Sequence, residues 1–197
     1  MTESIMGVAE IRTENSSAAV HGADQTGSAG TVRRQLLAPG RMDGDAFRSI
    51  AGQWLTGVAI VTSRNAAGVP VGLTMSAVTP LSLAPPMFLI CLDLGSGTLL
   101  AIEASKSFAI NFIGRNGAAV CKSFARKGGD KFSGVTSRIG EVGLPILDEA
   151  IAHVECVLHD SFVAGDHKII IGLAVSGDVS EGEPLAYFRG TFQQLRS

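Results

Sequence analysis

The chain has 197 residues, of which 46% are apolar and 17% charged, and its net charge is −2. This composition predicts a globular protein with a well-buried core. The basic residues are scattered and not in excess, so neither a nucleic acid nor an anionic membrane is expected as a partner. No apolar run approaches the roughly 18 residues that cross a bilayer, and the first ten residues show no secretory pattern, so we expect a cytoplasmic protein.

The first 44 residues differ in composition from the rest. They contain no aromatic residue and are rich in Ala, Ser, Thr and Gly, so they cannot bury enough apolar surface to offset the cost of ordering. The sequence therefore predicts a loosely attached or disordered arm over residues 1–44, with a short helix near Val32–Leu37 as the one candidate element. The folded domain is expected over residues 45–197.

The domain begins with a predicted helix that Asp43 or Asp45 caps and that ends at Leu55. Its apolar residues Phe47, Ile50, Ala51 and Trp54 recur at helical spacing, and we assign Trp54 to the core. Short helices are also predicted over residues 98–104 and 117–126, and a loop over residues 128–143.

The remaining segments are β-branched, apolar or alternating, which is typical of strands. Gly165-Asp166 has the composition of a tight hairpin turn. The expected fold is mainly β, an antiparallel barrel with a few short helices. The predicted strands cover residues 57–62, 69–76, 87–93, 107–113, 151–163, 167–175 and 184–192.

The segment GLTMSAVTPLSLAPP, residues 72–86, carries the clearest functional signal. Small side chains and hydroxyls are concentrated from Thr74 to Thr79, where a strand that only filled a core would carry larger residues. Such a segment allows the backbone to approach a flat or phosphorylated ligand closely. Ser76 and Thr79 could instead satisfy strand ends or turns, but the dense pattern around them favours a binding segment.

Several classes of site are excluded by missing motifs. There is no P-loop, no HExxH, no paired Cys/His spacing and no GxSxG elbow, and Gly95-Ser96-Gly97 lacks the rest of a dinucleotide fingerprint. His153 and His159 are six residues apart on a predicted strand and hence on one face, where a core or surface pair is favoured over metal ligands. Cys91, Cys121 and Cys156 are expected to be reduced and buried. No metal site is predicted.

The chain resembles the flavin reductase family that includes the reductase components of two-component flavin monooxygenases. The matching segments occur in the family's order and cover nearly everything from Asp45 to Leu195. They are TGVAIVT, GLTMSAVTPLSLAPP, CLDLGSGTL, SFAINFI, FARKGGDKF, GLPIL, AGDHKIIIG and PLAYFRG. The resemblance implies a split β-barrel, usually a homodimer, that binds FAD or FMN, takes hydride from NADH or NADPH and supplies reduced flavin to a separate monooxygenase.

The resemblance also implies which residues bind the cofactors, with His167 as the catalytic residue that orients the nicotinamide or helps with proton traffic. Thr74 to Thr79 match the segment that lines the flavin ring; Asp93, Ser96 and Thr98 match its ribityl-phosphate end, and Phe108 to Asn111 lie near the ring. The nicotinamide is expected near His167 and the segment from Tyr187 to Gly190. The predicted cofactor-binding residues are Thr74, Met75, Ser76, Ala77, Val78, Thr79, Asp93, Ser96, Thr98, Phe108, Ala109, Asn111, Lys131, His167, Tyr187, Arg189 and Gly190.

Simpler roles remain open for several of these residues. His167 could be an exposed hairpin histidine, Lys131 could lie in a solvated loop, and Tyr187 with Arg189 could form part of a rim with a salt bridge. The alternative function is a flavin carrier or electron-transfer protein on the same barrel that does not turn over nicotinamide.

Overall fold

The computed structural model describes residues 42–195, so most of the predicted arm and its helix at Val32–Leu37 lie outside the described residues. The described part contains three helices and twelve strands. The helices are α1 Gly44–Ala51, α2 Gly97–Ser105 and α3 Ala118–Ala125. The strands are β1 Thr56–Gly57, β2 Ala59–Arg64, β3 Pro70–Met75, β4 Val78–Leu83, β5 Pro86–Asp93, β6 Ser107–Ile113, β7 Ser137–Ile139, β8 Pro145–Leu147, β9 Ala150–Ala164, β10 His167–Val179, β11 Leu185–Phe188 and β12 Thr191–Gln194.

Seven strands form one antiparallel sheet in the order β3-β2-β6-β9-β10-β5-β4. Its two edge strands, β3 and β4, follow each other in the chain and are joined only by Ser76 and Ala77. A connection of two residues cannot cross a flat sheet of seven strands, because neighbouring strands lie about 4.8 Å apart. The sheet therefore curls until its edges meet at one end, which is the split antiparallel barrel that the sequence predicts.

The inside of the barrel is filled by alternate residues of its strands. Ile90, Phe108, Ile110 and Ile170 are fully buried there. Gly172 is required opposite Phe108, since a Cβ at this glycine would lie 2.4 Å from the phenyl ring. The barrel is thus a packed core, and a ligand must bind outside it.

A second core joins the barrel to α3 and to a three-stranded sheet of order β1-β11-β12. Phe124 of α3 is fully buried and packs edge-on against Phe132, with ring centroids 4.9 Å apart. Cys121 on the same helix and Leu185 of β11 are buried in this cluster as well. The small sheet is therefore fixed beside the barrel.

The structure has strands where the sequence predicted none. Strand β4 was not predicted; it contains Pro80, which is tolerated because β4 is an edge strand, where a missing N–H breaks no pairing. Strand β7 lies inside the predicted loop at residues 128–143. The predicted final strand over residues 184–192 is instead the hairpin β11–β12.

The assignment of Trp54 to the core was wrong, since 78% of its surface is exposed. Helix α1 is shorter than predicted and ends at Ala51, so Trp54 lies in the turn after it. Asp43 is the N-cap, and its carboxylate accepts a hydrogen bond from the Ala46 N–H at 2.7 Å. The apolar residues of α1, including Phe47 and Ile50, are also largely exposed.

The prediction that His153 and His159 share a face rests on strict alternation along β9, which the strand does not keep. A bulge leaves His159 without a partner on β10, between Leu158 and Asp160, and interrupts the strict alternation of side chains. Within residues 42–195, the structure contains no group of His, Cys, Asp or Glu that could hold a metal ion. No helix in this range has the length and hydropathy to span a membrane.

All three cysteines are free thiols; Cys121 and Cys156 are buried, and Cys91 is half-buried. Burial raises the pKa of Cys121 to about 12 from its ordinary value of 9.0, and Glu149 adds to the rise. Burial likewise raises the pKa of Cys156 to about 12, with a contribution from Glu155. Both thiols therefore keep their protons in the folded protein under conditions where the unfolded chain loses them.

This difference predicts a loss of stability in alkali. Between pH 9.0 and about 12 the folded protein binds more protons than the unfolded chain, so the free energy of unfolding falls as pH rises. The slope contributed by each thiol is up to about 1.4 kcal/mol per pH unit. Urea unfolding at several pH values measures it. The Cys121→Ala and Cys156→Ala variants should each flatten the slope, and an unchanged slope would contradict the prediction.

Candidate functional site

A cavity of about 490 Å³ opens beside the connection between β3 and β4. The segment Ser76–Thr79 and strand β5 form one wall, and the end of α1, strand β1 and the hairpin β11–β12 form the other. The lining is largely apolar, and Arg189 carries its only charged side chain. The lining residues are Ala51, Gly52, Trp54, Thr56, Ser76, Ala77, Val78, Thr79, Leu89, Cys91, Tyr187 and Arg189.

The first wall consists of small residues on an edge of the sheet. Ala77 and Thr79 are exposed, Ser76 is half-buried, and Thr79 lies opposite Leu89 across the β4–β5 pair. The chain turns sharply here, with the Val78 N–H donating to the Ser76 carbonyl at 2.9 Å. Main-chain groups and hydroxyls are therefore accessible to a flat ligand, as the sequence predicts for this segment.

The second wall comes from parts of the chain that are distant in sequence. Thr56 of β1 pairs with Tyr187 of β11, and Tyr187 packs against Phe192 with ring centroids 5.7 Å apart. The Thr56 hydroxyl is buried and has no hydrogen-bond partner among the described residues. The small sheet thus places an aromatic ring and a hydroxyl-bearing residue opposite the segment Ser76–Thr79.

Arg189 reaches the cavity from the turn of the hairpin β11–β12. Its guanidinium donates to the Gln53 Oε1 atom from Nε at 2.9 Å and from Nη2 at 2.6 Å, and its carbon Cζ lies 4.9 Å from the centre of the Phe188 ring. The Arg189 N–H also donates to the Gly52 carbonyl at 3.1 Å. The alternative of a rim salt bridge finds no carboxylate partner among the described residues.

His167 and Asp93 lie on the same side of the sheet as the cavity wall, although they do not line the cavity. Leu89, Cys91 and Asp93 alternate on β5, and His167 is paired directly with Asp93 across the β5–β10 ladder. The His167 Nδ1 atom lies 2.7 Å from the Asp166 carboxylate, and this hydrogen bond lowers the pKa of Asp166. The side chain of His167 is 19% exposed, so it is more enclosed than a free hairpin histidine.

The turn from β5 into α2 carries the other residues predicted for a phosphate. The Asp93 carboxylate accepts a hydrogen bond from the Gly95 N–H at 2.7 Å and so shapes this turn. Ser96 is the N-cap of α2 but makes no side-chain capping bond, whereas Thr98 is buried in the first turn of the helix. Ser96 is therefore the member of this group with a hydroxyl not used by the helix.

Besides Thr98, five of the predicted site residues have side chains enclosed by the protein. Asn111 donates to the Ile60 carbonyl at 3.0 Å and to the Thr62 hydroxyl at 3.2 Å, and it accepts from the Leu147 N–H at 2.9 Å. The Thr74 hydroxyl donates to the Cys121 carbonyl at 2.7 Å. The five are Thr74, Met75, Phe108, Ala109 and Asn111, all 5% exposed or less. Their side chains have structural partners and present no surface to the cavity.

Lys131 also has protein partners. Its ammonium group donates to the carbonyls of Gly72 and Phe124, each at 3.0 Å, and burial lowers its pKa. These contacts fasten the loop after α3 to β3. The side chain is half-buried and does not line the cavity.

Six cavity residues were missed by the sequence analysis, namely Ala51, Gly52, Trp54, Thr56, Leu89 and Cys91. Leu89 and Cys91 were visible in the sequence as alternate residues of a predicted strand next to the binding segment. The others gave no such signal, since their positions depend on α1 ending at Ala51 and on the pairing of β1 with β11. Gly190, predicted as a cofactor-binding residue, lies in the turn beside Arg189 with a φ of 79° and does not line the cavity.

Comparisons with known proteins agree with this arrangement. Residues 51–196 match the family model described as the flavin reductase like domain. The reductase component of 4-nitrophenol 4-monooxygenase/4-nitrocatechol 2-monooxygenase from Rhodococcus opacus is 38% identical over 161 residues, 82% of this chain and 85% of that one. The flavin reductase (NADH) of Kitasatospora aureofaciens is 38% identical over 160 residues, 79% of this chain and 84% of that one.

A solved structure with a similar fold carries ligands. It is the NADH:FAD oxidoreductase SgcE6 of Streptomyces globisporus C-1027 in complex with NAD and FAD fragments. The TM-score is 0.74 and the sequence identity 29%, with 78% of this chain and 93% of that chain covered. The fold of this chain is thus one that binds both kinds of nucleotide in a similar protein.

The buried network of Asn111 predicts that this residue acts on stability. The Asn111→Ala change removes three hydrogen bonds and leaves buried groups of β2 and β8 without a partner, so the free energy of unfolding should fall by about 2–4 kcal/mol. Urea unfolding measures this. The exposed Asn116→Ala change is the control and should stay within about 0.5 kcal/mol of wild type. A loss of flavin affinity without a loss of stability would contradict the structural role.

Proposed function

The chain belongs to the flavin reductase like family, and from this premise we propose that it is an NAD(P)H:flavin oxidoreductase. It would reduce FAD or FMN with NADH or NADPH and supply the reduced flavin to a separate flavin-dependent monooxygenase. The observation that carries the proposal is the cavity, which brings Ser76–Thr79 together with Tyr187 and Arg189. The family resemblance assigns Ser76–Thr79 to the flavin and Tyr187 with Arg189 to the nicotinamide.

The residues of the cavity fit a flavin. Its volume of about 490 Å³ lies within the roughly 300–1,000 Å³ that is typical of small-molecule sites. The wall at Ala77 and Thr79 has no bulky side chain, and Trp54 and Tyr187 provide aromatic surface on the other side. A flat tricyclic ring is apolar on its faces and polar at its edges, and this lining matches both properties.

The protein's task in this reaction is to bind and orient. The two cofactors supply the redox chemistry, in which hydride passes from the nicotinamide to the flavin. Ser76 and Thr79 would hydrogen-bond the edge of the flavin ring with hydroxyl and main-chain groups, and Tyr187 on the opposite wall would contact the nicotinamide. His167, oriented by Asp166, would hold the nicotinamide or move a proton at its ring nitrogen. Holding both reactants in one geometry removes most of the entropic cost of their encounter.

The assignments at the two ends of the site are part of the proposal. Asp93 lies beyond Cys91 on the cavity side of β5, and Ser96 follows in the turn into α2; both are proposed for the sugar or phosphate portion of a ligand. Thr98 is buried and Lys131 donates to two protein carbonyls, so both are left out, as are the five enclosed residues described above. The alternative of a flavin carrier without nicotinamide turnover finds no support among the named relatives.

We propose a cytoplasmic homodimer. The described residues expose many large apolar side chains, among them those of Phe47, Ile50 and Leu83. A surface with so many exposed apolar side chains favours contact with another protein over contact with water alone. A second copy of the chain would cover them.

The folded domain is proposed over residues 45–197, in keeping with the matched range 51–196.

The proposal predicts that filling the cavity abolishes the activity. The Ala77→Phe variant puts a phenyl ring into the space assigned to the flavin, so NADH oxidation with FMN or FAD should fall at least 100-fold (about 2.7 kcal/mol). Absorbance of the reduced nicotinamide follows the reaction. The same change at Ala66, in the exposed turn between β2 and β3, is the matched control and should retain activity.

Two outcomes would contradict this proposal. One is wild-type protein that oxidises neither NADH nor NADPH with either flavin. The other is an Ala77→Phe variant that remains folded and turns over as fast as wild type, which would place the flavin elsewhere.

The position of His167 gives a separate prediction. His167 is paired with Asp93, two residues beyond the cavity residue Cys91, and the resemblance assigns it to the nicotinamide. His167→Ala should therefore raise KM for the nicotinamide about tenfold while changing flavin affinity less than threefold. Steady-state kinetics and flavin fluorescence titration provide the two quantities. If flavin affinity falls more than KM rises, the assignment of His167 to the nicotinamide is wrong.

A further inference from the structure

Arg189 occupies a backbone conformation that its side chain does not favour. Arg189 and Gly190 form the two-residue turn between Phe188 and Thr191, and their φ angles are 49° and 79°. Two positive values identify a type I′ turn, whose first position is typically Asn, Asp or Gly. An arginine there costs conformational energy, and a residue kept in an unfavourable conformation beside a cavity points to a function of its side chain.

Gln53 fixes the direction of that side chain. Its Oε1 atom accepts two hydrogen bonds from the guanidinium, from Nε and Nη2, while its Nε2 atom donates to the Ser49 carbonyl of α1 at 3.2 Å. The guanidinium is thus tied to the end of α1 through one side chain. Of its five N–H donors, two are used in this way, and three remain for another acceptor.

No described residue neutralises the charge of Arg189. Among residues 42–195, no carboxylate lies within ion-pairing distance of its guanidinium, and the partner that holds it is a neutral amide. The eleven other residues that line the cavity are uncharged. The cavity is therefore an apolar site with one oriented and uncompensated positive charge at its wall.

We propose that Gln53 is a positioning residue that holds Arg189 as an anion subsite for the phosphate of the bound nucleotide. This inference rests on the proposed function and adds a residue and a ligand group to it. Arginine binds phosphate through paired N–H donors, and a guanidinium already fixed in direction loses less entropy on binding. A neutral amide provides this orientation without competing for the charge, whereas a carboxylate at residue 53 would occupy the same donors as an ion pair.

The test compares ligands that differ only in the phosphate. Affinities of FMN and of riboflavin are measured by fluorescence titration for wild type, Gln53→Glu and Arg189→Asn. If the bound phosphate is that of the flavin, the affinity of FMN relative to riboflavin should fall about tenfold in both variants, because each removes the free positive charge. Asn suits the turn, so Arg189→Asn should not lower the unfolding temperature, and this separates the loss of the charge from a loss of the fold.

A matched control excludes a general effect of charge. Arg48→Gln on α1 lowers the net charge by one, as Gln53→Glu does, but Arg48 is paired with Asp45 and does not line the cavity. This variant should leave the FMN-to-riboflavin ratio within twofold of wild type.

The phosphate could belong to the flavin or to the nicotinamide nucleotide, and a second pair of ligands distinguishes them. KM for NADH is compared with KM for N-benzyl-dihydronicotinamide, a hydride donor without phosphate. In the Gln53→Glu and Arg189→Asn variants, the ratio of the two KM values can change tenfold while the FMN-to-riboflavin ratio stays constant. This result assigns the subsite to the nicotinamide nucleotide and supports the proposal.

Two results would overturn the inference. If neither ratio changes in Gln53→Glu and Arg189→Asn, Arg189 is not an anion subsite. If only Arg189→Asn changes a ratio, Gln53 does not position it. Both results leave the proposed function intact, since wild-type protein would still bind and reduce flavin. Wild-type protein that binds neither flavin would contradict the proposed function and this inference together.

Discussion

The structure depends on one connection of two residues. Ser76 and Ala77 join the two edges of a seven-stranded sheet, so the sheet must curl and its edges separate beyond that point. The interior of the resulting barrel is filled by side chains such as Phe108 and Ile170. The cavity lies where the edges part, beside main chain that small residues leave accessible. The constraint that closes the barrel is also the one that exposes the binding segment.

The second wall of the cavity is supplied by a small sheet and by the end of α1. These parts come from the two ends of the described chain and are fixed to each other by contacts between Gln53 and Arg189 and between Gly52 and Arg189. One wall is thus part of the barrel, and the other packs on the second core and is tied to the end of α1 by a few polar contacts. This division fits the proposed chemistry, in which the protein orients two cofactors and contributes little covalent reactivity of its own.

The sequence predicts the barrel because its strands are apolar, β-branched and separated by clear turns. It predicts Ser76–Thr79, Tyr187 and Arg189 as neighbours only through the family resemblance, and the structure brings them to one cavity. It could not predict that Asn111 and Lys131 bind the protein's own carbonyls, since a polar residue in an apolar segment looks alike whether its partner is a ligand or a buried carbonyl. Trp54 was misplaced for a related reason, because helical spacing shows which residues share a face but not what covers that face.

The most direct test of this account is a crystal structure of the protein with FMN. The account predicts that the ring lies against Ser76–Thr79 within the cavity and that its phosphate or the neighbouring nicotinamide nucleotide approaches Arg189. A flavin bound at a surface that does not include Ser76–Thr79 would contradict the central claim.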